Sequence, residues 1–296
     1  MAESGWGMPM ADHAVVVPLF GTLAVDFGSF LDALRSSGLF VVLVDNNPNS
    51  AKVSDELPCD CYIGNANRGG IAGAFNRGVE AAIKRNARWV TLLDQDSRLS
   101  PSAVHQLRLA WDHNPEARFV VGPTIWDRAR DAVHEQPHAL VSTWKLAGGP
   151  WGSTRLLISS GTTFATCHWA HLGSFCEGLF IDFVDHAWSF RAQARGFQLL
   201  QHRNVFLEQV FGESHPNLLC RCVGMQLYSP MRHYYGLRNL RWLLRQSFIP
   251  FDLRVKELVK MLFKPWFWLL FESRRAENLR LIIRALSDPL PNCDCI

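Results

Sequence analysis

The chain has 296 residues, of which 48% are hydrophobic, 11% aromatic and 19% charged. This apolar content supports a sizeable core, so an intrinsically disordered chain and a small disulfide-stapled scaffold are both excluded. The 30 Lys and Arg residues nearly balance the 27 Asp and Glu residues. The segment from Arg232 to Arg284, however, holds 12 basic and 4 acidic residues, which suits contact with an anionic surface.

Neither the N-terminal segment nor any apolar run predicts export or membrane insertion. Residues Met1–Asp12 include two acidic residues and no Lys or Arg, so the positive region of a signal peptide is missing. The densest apolar block near the C-terminus, Trp266–Phe271, is far shorter than the roughly 20 residues that span a bilayer. We therefore expect a cytoplasmic protein whose eight cysteines are mostly free thiols, with metal binding by the Cys-x-Cys pairs as the alternative.

Strand and helix patterns alternate along the first half of the chain. The apolar patterns predict strands at Ala14–Val17, Phe40–Val44, Trp89–Leu93 and Phe119–Val121, and helices at Phe27–Leu34, Ala72–Arg85 and Ala103–Trp111. This order predicts an α/β fold with a mostly parallel, Rossmann-like sheet and helices on both faces. Ligands of such sheets bind at the carboxyl ends of the strands, where Asp45 and Asp94 fall.

The second half is less regular. A turn-rich loop is predicted at Ile125–Thr154, strands at Leu156–Ser160 and Val205–Val210, and a helix at Asp185–Arg195. Beyond Met231 the spacing is helical and rich in basic and aromatic residues, and Pro250 and Pro265 are expected to divide it into pieces.

Asp94-Gln95-Asp96, directly after a buried strand, is the sharpest motif. Two carboxylates that flank one residue can share a hard cation, and oxygen ligands suit Mg²⁺ or Mn²⁺. The alternative is an ordinary loop turn before the helix that starts near Pro101.

Two further segments have candidate functional residues. Gly64–Gly78 combines glycines with a helix start that can receive an anion, but it lacks the dinucleotide and Walker A spacings and could be a plain glycine turn. In Phe180–Arg191, Asp182 and Asp185 lie among large apolar residues, where a carboxylate can serve as a general base. Helix capping is the alternative for both aspartates.

Six motifs in chain order resemble the family 2 glycosyltransferases of the GT-A fold. They are VDNNPNS, GNANRGGIAGAFNRG, LLDQDS, ISSG, LFIDFVDHAWSFRAQ and SPMRHYYGLRN. The resemblance runs from Val15 to Asn239 and is strongest to bacterial rhamnosyltransferases that extend rhamnolipids or lipid-linked O-antigen sugars. It implies a GT-A catalytic domain over residues 1–230. The spacing and composition of the tail predict a helical C-terminal region over 231–296, which we expect to contact a membrane.

The resemblance also implies roles for residues of the donor site. Asp45 would contact the nucleoside, and Asn67 and Gly69 would belong to the nucleotide-sugar loop. Asp94 and Asp96 would serve the metal and the diphosphate, with Asp96 as the direct metal ligand.

The resemblance also implies a catalytic residue, and the sequence departs from the family pattern at two positions. Asp185 would be the base that deprotonates the acceptor hydroxyl, so that the anomeric centre inverts in one displacement. Ala187 stands where the family usually has Glu, and Gln209 stands where it usually has a metal-binding His.

The implied function is transfer of L-rhamnose from dTDP-L-rhamnose to a lipid or lipid-linked glycan acceptor. The implied location is the cytoplasmic face of the inner membrane, contacted by the basic and aromatic tail; a tail packed as a lid on the catalytic domain is the alternative. Other donors, such as UDP- or GDP-hexoses, remain open, as does an inactive scaffold subunit, which Ala187 and Gln209 suggest. A nucleic-acid partner is not expected, because the tail has no recognition motif.

Overall fold

The fold is built on a central sheet, seen in a computed structural model that describes residues 12–48, 57–128, 132–133, 150–209, 217 and 228–293. The strands are β1 His13–Leu19, β2 Phe40–Asp45, β3 Cys61–Gly64, β4 Trp89–Leu92, β5 Phe119–Asp127, β6 Ala132–Val133, β7 Trp151–Ser153, β8 Thr163–Ala165 and β9 Gln198–Gln209. The helices are α1 Phe27–Ser36, α2 Gly70–Lys84, α3 Pro101–Arg108, α4 Trp169–Leu172, α5 Val184–Ala194, α6 Pro230–Leu243, α7 Phe251–Phe271 and α8 Arg275–Ser287.

The strand order within the described residues is β3-β2-β1-β4-β8-β5-β9-β7, with β6 paired to β5. Strands β3, β2, β1 and β4 are parallel, and β9 runs parallel to β5. Strand β8 lies antiparallel between β4 and β5, so the sheet is parallel in its first half and mixed beyond it. The predicted α/β fold with a central sheet flanked by helices is confirmed.

Both faces of the first strands are buried, which explains their unbroken runs of Val and Leu. Val16 and Val42 pack on one side in the core that contains Phe75 of α2. Val15 and Val41 pack on the other side in the core that contains Leu31 of α1.

The strand predicted at Leu156–Ser160 is wrong. That segment is irregular, and the strand of this region is β8 at Thr163–Ala165. Leu156 and Leu157 are buried, so their apolar character reflects burial and not a strand ladder. Gly161 has a left-handed backbone with φ of 82°, and its N–H donates to the Leu92 carbonyl at 2.7 Å just before β8 begins.

The C-terminal helices α6, α7 and α8 pack on one another around Tyr234, Leu237 and Trp268. Pro250 caps α7, whereas Pro265 lies inside α7 and does not end it, contrary to the prediction. No helix in the described part of the chain is both long and apolar enough to cross a membrane. The division into domains 1–230 and 231–296 stays a prediction.

One pair of cysteines is not free, contrary to the prediction of free thiols. Cys176 and Cys293 form a disulfide, with a Cα–Cα distance of 5.2 Å. Cys59, Cys61 and Cys167 are free. The other cysteines, Cys220, Cys222 and Cys295, lie outside the described residues.

Candidate active site

A cavity of about 620 Å³ opens where the parallel strands end, between the sheet and helix α7. The sheet contributes Asn46 after β2, Asp94 after β4 and Gln209 at the end of β9. The opposite wall comes from α5, α6 and α7. The chain thus brings its strand ends and its C-terminal helices to one pocket, as ligand sites of α/β sheets require.

Asp94 is half-buried and is held at the sheet edge by two contacts. Its backbone N–H donates to Ser160 Oγ at 3.1 Å, and Gln209 Nε2 donates to its Oδ2 at 3.4 Å. Burial, followed by the negative charges of Asp96 and Asp185, raises the pKa of Asp94 to about 7. Such a crowded carboxylate favours a nearby positive charge.

Asp96, the predicted direct metal ligand, is exposed in the turn after β4 and does not line the cavity. Gln209, the predicted third ligand, lies beside Asp94. Its Oε1 is buried and has no hydrogen-bond partner among the described residues. No group of three or more His, Cys, Asp or Glu side chains in that part of the chain could hold a metal ion. The oxygens of Asp94 and Gln209 nevertheless fit a hard divalent cation, because an orphaned amide oxygen lies next to a carboxylate.

The segment before α5 is strained. Phe180, Asp182 and Phe183 all have φ between 62° and 66°, a left-handed region that costs free energy for residues with side chains. Asn239 of α6 holds this segment, since its Nδ2 donates to the carbonyls of Leu179 and Ile181 at 2.7 Å and of Asp182 at 3.0 Å. Buried strain fixed in this way is typical of a functional loop.

Asp185, the predicted base, lies in the first turn of α5 and lines the cavity. Its Oδ1 accepts hydrogen bonds from the His186 N–H at 2.8 Å and from His186 Nδ1 at 2.9 Å. Burial alone would raise the pKa of Asp185, but the charge and hydrogen bonds of His186 lower it. Asp185 is therefore ionised at neutral pH.

Asp182 differs from Asp185 although both line the cavity. Arg232 of α6 donates from Nε to Asp182 Oδ1 at 3.1 Å. Burial raises the pKa of Asp182 and outweighs this arginine. Arg232 Nε contacts both carboxylate oxygens of Asp182, which leaves them less accessible to an acceptor hydroxyl than the oxygens of Asp185.

Of the three residues predicted to bind the nucleotide, one lines the cavity and two do not. Asn67 lines the cavity with a left-handed backbone, φ 56°. Asp45 is buried behind it, with its oxygens accepting from Tyr62 Oη at 2.6 Å and from Asn47 Nδ2 at 2.7 Å. Gly69 packs against Glu177 and is not among the lining residues; a Cβ there would lie 2.4 Å from Glu177 Oε2.

A lid on the catalytic domain was the alternative expected for the tail, but the residues with which α7 lines the cavity were not predicted. Glu257, Lys260, Met261, Lys264 and Trp268 line the cavity from this helix. Their spacing of three and four residues places them on one helical face, and that spacing was the available signal. Asn46, directly after Asp45, is a further lining residue that was missed.

The fold and this carboxylate-lined pocket at the strand ends define an enzyme of the glycosyltransferase class. The family model described as Glycosyl transferase family 2 matches residues 15–170, and the chain belongs to that family. The predicted family is confirmed, and so is the prediction of a glycosyltransferase.

Among known proteins, the chain is similar to the dTDP-rhamnosyl transferase RfbF of Shigella flexneri. The two are 27% identical over 287 residues, which cover 93% of this chain and 94% of that protein. Residues 1–349 of TarS from S. aureus, solved with UDP-GlcNAc, match with a TM-score of 0.54 and 15% identity, over 93% of this chain and 79% of theirs. GalNAc-T7, solved with UDP, GalNAc and Mn²⁺, matches with a TM-score of 0.54 and 13% identity, over 92% of this chain and 58% of its own. At such identities the two structures establish the fold.

Proposed function

We propose that this glycosyltransferase moves L-rhamnose from dTDP-L-rhamnose to an acceptor hydroxyl with inversion at the anomeric carbon. One observation supports it above the others: Asp94, Gln209 and the ionised Asp185 face the same cavity. The rhamnose donor is supported by similarity to RfbF over nearly the full length of both chains.

Mg²⁺ or Mn²⁺ is the proposed cofactor, held by Asp94, Asp96 and Gln209. When bound there, a divalent cation would stabilise the negative charge that develops on the departing nucleoside diphosphate. The raised pKa of Asp94 and the unpartnered Oε1 of Gln209 support this ligand set. Manganese in the GalNAc-T7 structure is a property of that protein and is consistent with the proposal.

Asp185 is the proposed general base. His186 occupies its Oδ1, so Oδ2 is available to accept the proton of the acceptor hydroxyl. Because its pKa is lowered, the carboxylate is deprotonated when the acceptor arrives. Attack from the side opposite the diphosphate then inverts the sugar in one displacement.

Asn67 and Asp45 are proposed to serve the donor in different ways. Asn67 can reach a bound nucleotide sugar directly, since it lines the cavity. Asp45 is already bound to Tyr62 and Asn47, so its proposed contact with the nucleoside needs one of these bonds to exchange. Gly69 would act through the loop backbone, which packs closely on Glu177.

The acceptor is proposed to be a lipid or lipid-linked glycan, reached from the cytoplasmic face of the inner membrane. Helix α7 supports this, because its outer side presents apolar residues that are 43% to 78% exposed. They are Phe251, Val255, Leu258, Val259, Leu262, Phe263, Trp266 and Leu270. Since the inner side of α7 lines the cavity, the helix can be a lid and a membrane contact at once.

A thermal-shift panel of dTDP, UDP, GDP and CDP, each with Mg²⁺ or Mn²⁺, tests the proposal. We expect dTDP with metal to raise the melting temperature most. A larger shift with UDP or GDP would favour another nucleotide sugar. An inactive scaffold, the reading suggested by Ala187 and Gln209, would respond to none of them.

A further inference from the structure

Two lysines of α7 face the cavity and have no role in the chemistry above. Lys260 and Lys264 lie one helical turn apart on the inner side of the helix. Lys260 Nζ pairs with buried Glu257 Oε1 at 2.5 Å. Lys264 forms no ion pair with the residues that the structure describes, and its exposed side chain lines the cavity, so its ammonium group is available to a ligand.

The lysines lie on the side of the cavity where the base is. The charge of Lys264 acts on Asp182, and that of Lys260 acts on His186, the residue that holds Asp185. Both lysines belong to the wall of the cavity that α7 contributes, whereas Asp94 and Gln209 lie at the strand ends.

The surroundings of the lysines indicate what kind of group they bind. Met261, Trp268, Leu237 and Leu240 line the same cavity with apolar surface. Glu257 compensates the charge of Lys260, so Lys264 contributes the uncompensated ammonium group, one helical turn from Lys260. An ammonium group in this position can form a charge-assisted hydrogen bond to a phosphate oxygen. The outer side of the same helix exposes apolar residues suited to a bilayer.

We propose that Lys260 and Lys264 form an acceptor subsite that binds a phosphate group carried by a lipid. This inference rests on the proposed function, because it assumes that Asp185 receives the acceptor. The phosphate would anchor the acceptor beside α7 while its hydroxyl reaches Asp185. The lipid chain would leave the cavity along the apolar side of the helix.

Calorimetric titration of the full chain tests the subsite, with decyl phosphate below its micellar concentration as the probe and decanoate and inorganic phosphate as comparisons. Lys264→Gln should weaken decyl phosphate binding roughly tenfold or more, since a charge-assisted hydrogen bond is lost. Lys264→Arg should retain most of the affinity. Lys84→Gln, at an exposed lysine at the end of α2, is the matched control and should change nothing. Lys264 is the better choice for substitution, because Lys260→Gln would also remove the ammonium partner of buried Glu257.

Titration of the same variants with dTDP and Mn²⁺ separates this subsite from the donor site. We expect dTDP affinity within about twofold of the wild type in each variant, since Lys264 lies on α7 and the proposed metal ligands Asp94 and Gln209 lie at the strand ends. A parallel loss of dTDP and decyl phosphate binding in Lys264→Gln would overturn the proposal, because the lysines would then hold the donor. Decanoate or inorganic phosphate binding as tightly as decyl phosphate would also overturn it. Failure of the wild type to bind dTDP would instead count against the proposed function, and the decyl phosphate result would still decide the subsite.

Discussion

Among the cavity carboxylates, Asp94 has a pKa of about 7, well above the ordinary value for aspartate. A raised pKa means that the folded protein holds this proton more tightly than the unfolded chain does. Asp94 therefore lowers the stability of the metal-free protein as the pH rises from about 4 to about 7. Asp94→Asn should raise the melting temperature of the metal-free protein at about pH 8, and the gain should shrink towards about pH 5.

Melting curves of both proteins in a chelating buffer across that pH range measure the effect. A matched Asp96→Asn variant should show a smaller gain, because Asp96 is exposed. An Asp94→Asn protein that is less stable than the wild type throughout would show that the carboxylate is not under electrostatic strain.

Asp182, just before α5, and Asp185, in its first turn, are two carboxylates that line the same cavity. Asp185→Asn is nearly isosteric but cannot accept a proton, so turnover should fall roughly 10²-fold or more. Binding of nucleotide and metal should be retained, as nucleotide titration can check. Asp182→Asn should reduce turnover less, because Asp182 is paired with Arg232. If Asp182→Asn is the inactive variant and Asp185→Asn is not, the base has been assigned to the wrong residue.

Substitutions of Gln209 test the proposed metal coordination without a change of net charge at neutral pH. Gln209→His replaces a weak amide ligand by imidazole, so apparent Mn²⁺ affinity should rise, with Mg²⁺ affected less because it prefers oxygen. Gln209→Ala should weaken Mn²⁺ binding only modestly. Metal titrations of activity that coincide for all three proteins would place Gln209 outside the coordination sphere.

At the scale of elements, the sequence predicted those whose apolar periodicity is regular. Helix α2 and strands β1 and β2 fall within a few residues of prediction, because both faces of the first strands and one face of the helix are buried. The short apolar run at Leu156–Ser160 led to a wrong strand prediction. A buried irregular segment and a buried strand can have the same apolar composition. Strand β3, which contributes only four residues, was missed.

The site was predictable to a similar extent. Asp94, Asp185 and Gln209 could be brought together from strand ends, helix starts and family motifs, and the structure places all three at one cavity. The position of Lys264 at the cavity was not predicted, because the spacing along α7 shows which residues share a face but not what that face packs against. Asn239 was likewise visible only as part of a motif, whereas its side chain holds three carbonyls of the strained loop.

The outer side of helix α7 is predicted to contact a membrane. Phe263 is 59% exposed there, and Phe263→Asp should weaken binding to phosphatidylglycerol vesicles roughly tenfold or more, because a large apolar side chain no longer enters the interface. Leu109→Asp, at an exposed leucine after α3, is the control and should bind like the wild type. Cosedimentation measures both, and circular dichroism shows whether they fold. Equal binding of all three proteins would leave α7 as a lid without a membrane role.

At the scale of the whole molecule, the cavity joins two parts of the chain. The sheet edge contributes a carboxylate and an amide, which we propose bind the donor and its metal, and the C-terminal helices contribute the wall that we propose receives the acceptor. The disulfide between Cys176 and Cys293 ties the segment before α5 to the chain after α8. The disulfide thus links the region just before the helix of the proposed base to the C-terminal end of the described chain.

The most direct test of this account follows the anomeric configuration of the sugar by proton NMR. The protein is incubated with dTDP-L-rhamnose, Mn²⁺ and an excess of a simple alkyl alcohol as the acceptor. We expect release of dTDP together with a rhamnoside of the opposite configuration, roughly 10²-fold slower in Asp185→Asn and lost on chelation of the metal. A product with retained configuration, or undiminished transfer by Asp185→Asn, would contradict the account.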